Sequence, residues 1–200
     1  MLSTLAEDDN KDGHHTLTVK EIAQFEAFHR PGTKAHLAFM IFRFTGLRVC
    51  DVAVYGRQHL YLGKSPDRGD ELRFRITPKK TGSTTAVVVD MPVLEPLADA
   101  IAVQPLTDMT FLMTQQGKPF SEKGLGNKMR DWFDAADLKH CSSHGIRKAD
   151  ATIAAENGAT GHQLMGMLGW TPLKQAENYT CKAHRKKMAS AGAGHLIVGK

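Results

Sequence analysis

Two hundred residues are enough for one domain with a real buried core. A hydrophobic share of 42% beside 24% charged residues excludes a disordered or fibrous chain. A net charge of +5 is modestly basic, which suits a polyanionic partner without requiring one. Cys50, Cys141 and Cys181 are too widely spaced for a disulfide framework or a CxxC metal site, and no apolar run nears the roughly 20 residues of a membrane span. The N-terminus lacks a secretory signal, so a reducing, cytoplasmic setting without membrane contact is expected.

Residues 1–16 read as a flexible polar linker. Asp8-Asp9-Asn10-Lys11-Asp12-Gly13 matches the first half of a calcium loop, but the twelfth position, which needs a bidentate Glu, is Val19. His14-His15 reads as part of the same linker. The ten histidines show no HExxH spacing, so neither a metal nor a cofactor is expected.

Thr18-Val19-Lys20-Glu21 is a capping box, and a helix with Ile22, Phe25 and His29 on one face follows, ended by Pro31-Gly32. A second helix is predicted from Thr33 with Leu37, Met40, Ile41 and Phe44 as its buried stripe, closing at Gly46. That leaves Arg48 at a turn, with Asp51 one helical turn on and able to hold its guanidinium.

From His59 the period changes to that of a sheet. Strands are predicted at His59–Leu62, at Glu71–Ile76, where polar and apolar residues alternate, and at the β-branched run Thr84–Val89. Pro78-Lys79-Lys80-Thr81-Gly82-Ser83 is the loop between the last two, and it carries two lysines. Pro92 is read as opening a helix with Leu94, Leu97 and Ile101. A short turn region follows from Phe111 to Phe120, broken at Gly117-Lys118-Pro119. Ser121 then caps a helix with Leu125, Met129, Trp132 and Phe133 on its apolar side. Its Lys123, Lys128 and Arg130 suit either the phosphates of a polyanion or plain solvent.

His144 and Arg147 stand three apart, so a helix projects them from one face, toward one anion. Gly158 ends that helix, and Thr160-Gly161-His162-Gln163 is a capping box for the next, which runs to Leu168. After Trp170, Thr171 caps a last helix with Pro172 in its first turn, and this helix delivers Tyr179. A histidine, arginines and a tyrosine are the parts needed to hold a phosphate and attack it. Lys182, Arg185, Lys186 and Lys187 make the helix basic beyond Tyr179, and the glycine-rich end carries an apolar patch, Leu196-Ile197-Val198.

With these residues in this order, the chain resembles the tyrosine recombinases of the phage integrase type, from about Leu17 to about Ala189. The matching positions are Arg48, Lys80, His144, Arg147, Trp170 and Tyr179. The family most often has His where this chain has Trp170, and Trp is its recognised alternative. The resemblance implies a mixed α+β domain, mostly helical with a small three-stranded antiparallel sheet, over residues 17–189, followed by a tail at 190–200. It also implies site-specific cutting and rejoining of double-stranded DNA through a 3′-phosphotyrosine, without a cofactor, in a phage or other mobile element. Arg48 and Arg147 would clamp the phosphate, His144 would assist proton transfer, Lys80 would protonate the leaving oxygen, and Trp170 would support the site. Lys79 competes with Lys80 for the lysine role.

The family often passes its C-terminal segment to a neighbouring subunit, which implies a homotetramer on DNA assembled through the tail. Members usually also carry an N-terminal helical clamp, so the chain is read as a catalytic fragment or a truncated member. Two alternatives use the same residues differently: DNA relaxation of the type IB topoisomerase kind, and a non-catalytic DNA-binding relative. The second would be expected to have lost Tyr179 or an arginine, and all are present.

Overall fold

A computed structural model of the chain describes residues 13–65, 67, 69–79, 87–104, 109–193 and 196; for residues 184, 186–188, 191 and 192 it describes the helical backbone alone. Most of the calcium-like stretch, Lys80, and the Thr84–Ala86 start of the third predicted strand lie outside the described residues.

The helix starts follow local chemistry. In α1 (Val19–Phe28) the Thr18 hydroxyl accepts from the Glu21 N–H while the Glu21 carboxylate accepts from the Thr18 N–H, the reciprocal box expected. Thr33 caps α2 (Lys34–Thr45), which ends at Gly46 with φ 59°, a left-handed position that glycine adopts without strain. A Cβ there would also collide with the Leu168 side chain. The predicted single stripe on α2 understates its burial. Ala35, Leu37 through Phe42 and Thr45 are all buried, whereas Phe44 is only half-buried. Helix α2 is buried over most of its surface because it contacts α4 (Glu95–Ala102), α5 (Glu122–Ala135) and α6 (Ser143–Glu156).

The sheet holds β1 (Leu60–Ser65), β2 (Gly69–Ile76) and β3 (Val89–Pro92) in the order β1-β2-β3, all antiparallel. Phe74, Ile76 and Val89 face the core. Two sequence expectations change here. Among the described residues the third strand pairs from Val89, opposite Ile76, and Val87 and Val88 lie outside it. Pro92 closes β3 rather than opening a helix. It sits on an edge strand, where its missing N–H leaves no ladder bond unmade, and Pro96 instead occupies the first turn of α4.

Ser142 caps α6, and α7 (Gly161–Leu168) starts on the predicted Thr160–Gln163 capping box. Helix α8 (Leu173–Ala193) begins one residue later than the Thr171-Pro172 signal places it, within the usual fraying of helix ends. A main core joins α1, α2, α4, α5 and the sheet. A smaller one joins α6, α7 and α8 through Ala151, Ala155, Leu164, Leu168, Trp170 and Ala176, with Tyr179 packed against it. The candidate site lies where the two meet.

Candidate active site

Arg48 is the cap residue of the short helix α3 (Val49–Val52), directly after the turn that ends α2. Arg147 lies one turn into α6. Helices α2 and α6 pack together, so both arginines reach one small pocket lined also by Thr45, Asp51, Pro78, Val89 and Leu168. Burial lowers the Arg147 guanidinium to about 10, with the charge of Arg48 as the next cause, against the opposing pull of Asp51, Tyr179 and Asp150. Two neighbouring guanidiniums held partly out of water make a site that an anion would relieve. One Nη2 of Arg147 donates to the Leu168 carbonyl, which fixes the fork.

Trp170 follows the left-handed Gly169 that ends α7 and is 5% exposed. The Arg147 guanidinium carbon lies 5.7 Å from the centre of its ring, and the ring of Tyr179 stacks on its indole at 5.4 Å with an angle of 22°. Arg147, Trp170 and Tyr179 thus form a contiguous stack that ends at the half-buried phenol. Burial raises the Tyr179 hydroxyl above the ordinary phenol value, opposed by the charges of Arg147 and Lys182. At neutral pH it is therefore a phenol that needs a proton acceptor to become a nucleophile.

The other tyrosines are differently placed. Tyr55 is fully buried among Phe74, Phe111 and His59, and Tyr61 donates its hydroxyl to the Asp90 carboxylate at 2.6–2.7 Å. Tyr55 is thus sealed from a bulky substrate, and the Tyr61 hydroxyl is committed to Asp90.

His144 sits in the first turn of α6, three residues before Arg147, with its side chain exposed and its ring stacked on His14 at 5.0 Å. Asp51 departs from expectation. It is 1% exposed, and among the described residues no ion pair joins it to Arg48; instead its Oδ1 accepts the backbone N–H of Lys79 at 2.9 Å. A buried carboxylate is held where donors reach it, and the unpaired N–H of the incoming loop is one. The lysine-bearing loop is thereby moored beside the arginine pocket, which Pro78 lines. Lys79 itself is exposed, and the position of Lys80 is not described.

The structure thus brings Arg48, Arg147, Trp170 and Tyr179 together and puts His144 on the helix of Arg147. Sequence reasoning missed the anchoring role of Asp51, whose partner lies 28 residues away along the chain.

The same fold is found in solved proteins. The chain is similar to XerA recombinase, with a TM-score of 0.67 at 16% identity, covering 88% of this chain and 65% of that one. It is similar to a lambda integrase fragment crystallised as a dimer bound to a core site, with a TM-score of 0.67 at 17% identity, covering 86% and 60%. A third likeness is the Tn1549 transposon integrase in complex with transposon right end DNA, with a TM-score of 0.64 at 17% identity, covering 91% and 68%. At these identities the likeness establishes the fold, and the chain spans about two thirds of each relative. No curated protein matches the sequence. The sequence pattern described as "Phage integrase family" matches residues 15–186, from ahead of α1 to beyond Tyr179 on α8. A match over most of the chain, on this fold and this order of residues, is decisive: the chain belongs to the phage integrase family.

Proposed function

We propose that this chain is the catalytic domain of a tyrosine-type site-specific recombinase that cuts and rejoins double-stranded DNA. The observation that carries the reading is the placement of Arg48 and Arg147 in one pocket, with the Trp170–Tyr179 stack running from Arg147. The relatives crystallised on DNA support it by analogy of fold.

In this reading the Tyr179 oxygen attacks a DNA phosphorus. A tyrosine–phosphate bond forms, the bond to the 5′ oxygen breaks, and a 3′-phosphotyrosine retains the bond energy for rejoining. The phenol proton passes toward His144 or solvent. The 5′ oxygen takes a proton from the loop lysine, Lys80 with Lys79 as the alternative. Arg48 and Arg147 bind the non-bridging oxygens as their charge grows, and water exclusion around Arg147 strengthens that bond. Trp170 packs against both Tyr179 and Arg147 and so holds the two in place.

The reading extends to assembly. Recombination needs paired sites, so a homotetramer on DNA is proposed, with the segment at 190–200 as the subunit link. Leu196 is 83% exposed, as such a link would require. No helix among the described residues is long and apolar enough to cross a membrane, and the three cysteines are free. Work on DNA in the reducing cytoplasm fits both.

A nicked suicide DNA substrate tests the reading. Wild-type protein should form a denaturation-resistant adduct, and Tyr179→Phe should lose it while retaining DNA binding. An adduct that survives Tyr179→Phe would overturn the assignment.

A further inference from the structure

Four side chains with metal-binding atoms meet where residues 13–17 cross the start of α6, and none of them lines the arginine pocket. His15, Glu21, His140 and Cys141 each place one donor atom within 4.8 Å of the others. They come from three separate stretches: the segment before α1, the first turn of α1, and the turn that leads into α6. Sequence spacing could not reveal them as a set.

Their orientation is convergent. His15 turns its Nε2 to Glu21 Oε2 at 2.8 Å, and His140 turns its Nε2 to Glu21 Oε1 at 2.5 Å, with the two rings edge to face at 4.7 Å. Cys141 is buried behind them, in no disulfide and with its thiol toward Glu21. Two imidazole nitrogens, one carboxylate oxygen and one thiol sulfur are the donor set of a tetrahedral zinc-type ion. Bond lengths of about 2.0–2.3 Å put the edges of such a shell at roughly 3.3–3.7 Å, so the atoms need only side-chain adjustment to receive one.

The carboxylate of the site is already supported from behind. Glu21 Oε2 accepts from the Thr18 N–H at 2.6 Å and from the Thr18 hydroxyl at 2.9 Å, which fixes the carboxylate and leaves Oε1 to serve as the ligand. The side chains of His15 and His140 are 36% and 56% exposed, which gives an ion a path in, whereas the carboxylate and sulfur are sheltered.

We propose that His15, Glu21, His140 and Cys141 form a structural site for a divalent zinc-type ion that pins residues 13–17 to the turn before α6. The local packing shows what such a pin would hold. The Leu17 N–H donates to the Gly145 carbonyl at 3.4 Å, and Lys148 Nζ donates to the His14 carbonyl at 3.1 Å. A Cβ at Gly145 would strike the His15 carbonyl oxygen, so only glycine admits this crossing. His14 meanwhile stacks on His144. A bound ion therefore sets the position of the strap beside the histidine of the candidate active site. The reading reverses the sequence expectation that His14-His15 is a plain linker pair, and it is independent of the proposed DNA chemistry.

The test uses the purified chain, stripped of metal and titrated with zinc and cobalt chlorides at a pH above about 7, where imidazoles are neutral ligands. Binding should be one ion per chain. The cobalt form should show the strong visible bands of tetrahedral geometry and a near-ultraviolet thiolate charge-transfer band. Cys141→Ser should abolish the charge-transfer band. His140→Ala, a change at an exposed position that keeps the core intact, should weaken zinc binding by about 100-fold or more and remove the zinc-induced rise in Tm. His14→Ala and Cys181→Ser should leave zinc affinity unchanged. Failure to bind one ion, an octahedral cobalt spectrum without the thiolate band, or full affinity in His140→Ala would each overturn the proposal.

Discussion

Asp51 and Lys79 are joined by a hydrogen bond of 2.9 Å from the Lys79 backbone N–H to a carboxylate oxygen that is sealed from solvent. The bond moors the lysine-bearing loop to the helix that follows Arg48. Asp51→Ala removes the acceptor and leaves the Lys79 N–H without its partner, so stability should fall by about 0.5–1.5 kcal/mol. Asp51→Asn keeps an acceptor and should cost less, although it removes a charge that supports Arg147. Denaturant midpoints check the order, and adduct formation should slow in both. Equal stability of Asp51→Ala and wild type would show that the loop is held by other contacts.

Arg147 sits in surroundings that penalise any cation. Burial first, then Arg48, bring its guanidinium down to about 10, which still leaves it charged from pH 6 to 9. A lysine starts near 10.4 and would be pushed by the same burial toward the working pH. Arg147→Lys should therefore lose both the planar fork and much of its charge, with cleavage down by about 100-fold or more near pH 8. Protonation is restored as pH falls, so the ratio of variant to wild-type rate should rise from pH 9 to pH 6. A flat ratio would show that the fork alone is limiting.

The helix boundaries were largely legible because the signals are local. Thr18–Glu21 and Thr160–Gln163 each close a capping box within four residues, and Gly46 and Gly169 mark left-handed ends. Pro92 misled because proline favours both a helix start and the end of an edge strand, and only pairing with Arg73 distinguishes them. Near-complete burial of α2 was hidden for a related reason, since an apolar stripe reports one contact face and not how many elements surround it. At the site, Arg48, Arg147, Trp170 and Tyr179 were found through order along the chain. The distant partners of the Asp51 and Glu21 carboxylates were not, because only the fold brings those segments near.

The two loop lysines separate by leaving-group chemistry. If Lys80 is the acid, Lys80→Ala should cleave normal DNA poorly yet recover on DNA with sulfur at the 5′ bridging position, because a thiolate leaves without a proton. Lys79→Ala should keep its backbone bond to Asp51 and cleave almost normally, with weaker binding at higher salt. The opposite pattern would transfer the role to Lys79.

Removal of residues 190–200 probes assembly. Because α8 reaches Ala193, the deletion trims only the last turn, away from Tyr179. Adduct formation on a single site should stay within about twofold and Tm within a few degrees, the range of changes outside the core. Complexes of paired sites, measured by gel shift or sedimentation, should vanish. Paired-site complexes of normal abundance would remove the tail from the subunit link.

Peptide mapping of the protein–DNA adduct tests the central claim most directly. After trapping on a suicide substrate and digestion, mass spectrometry should find the nucleotide mass on the peptide containing Tyr179, attached through a 3′ phosphate, with a free 5′ hydroxyl on the released strand. Attachment at Tyr55, Tyr61 or any other residue, or through a 5′ phosphate, would contradict the account.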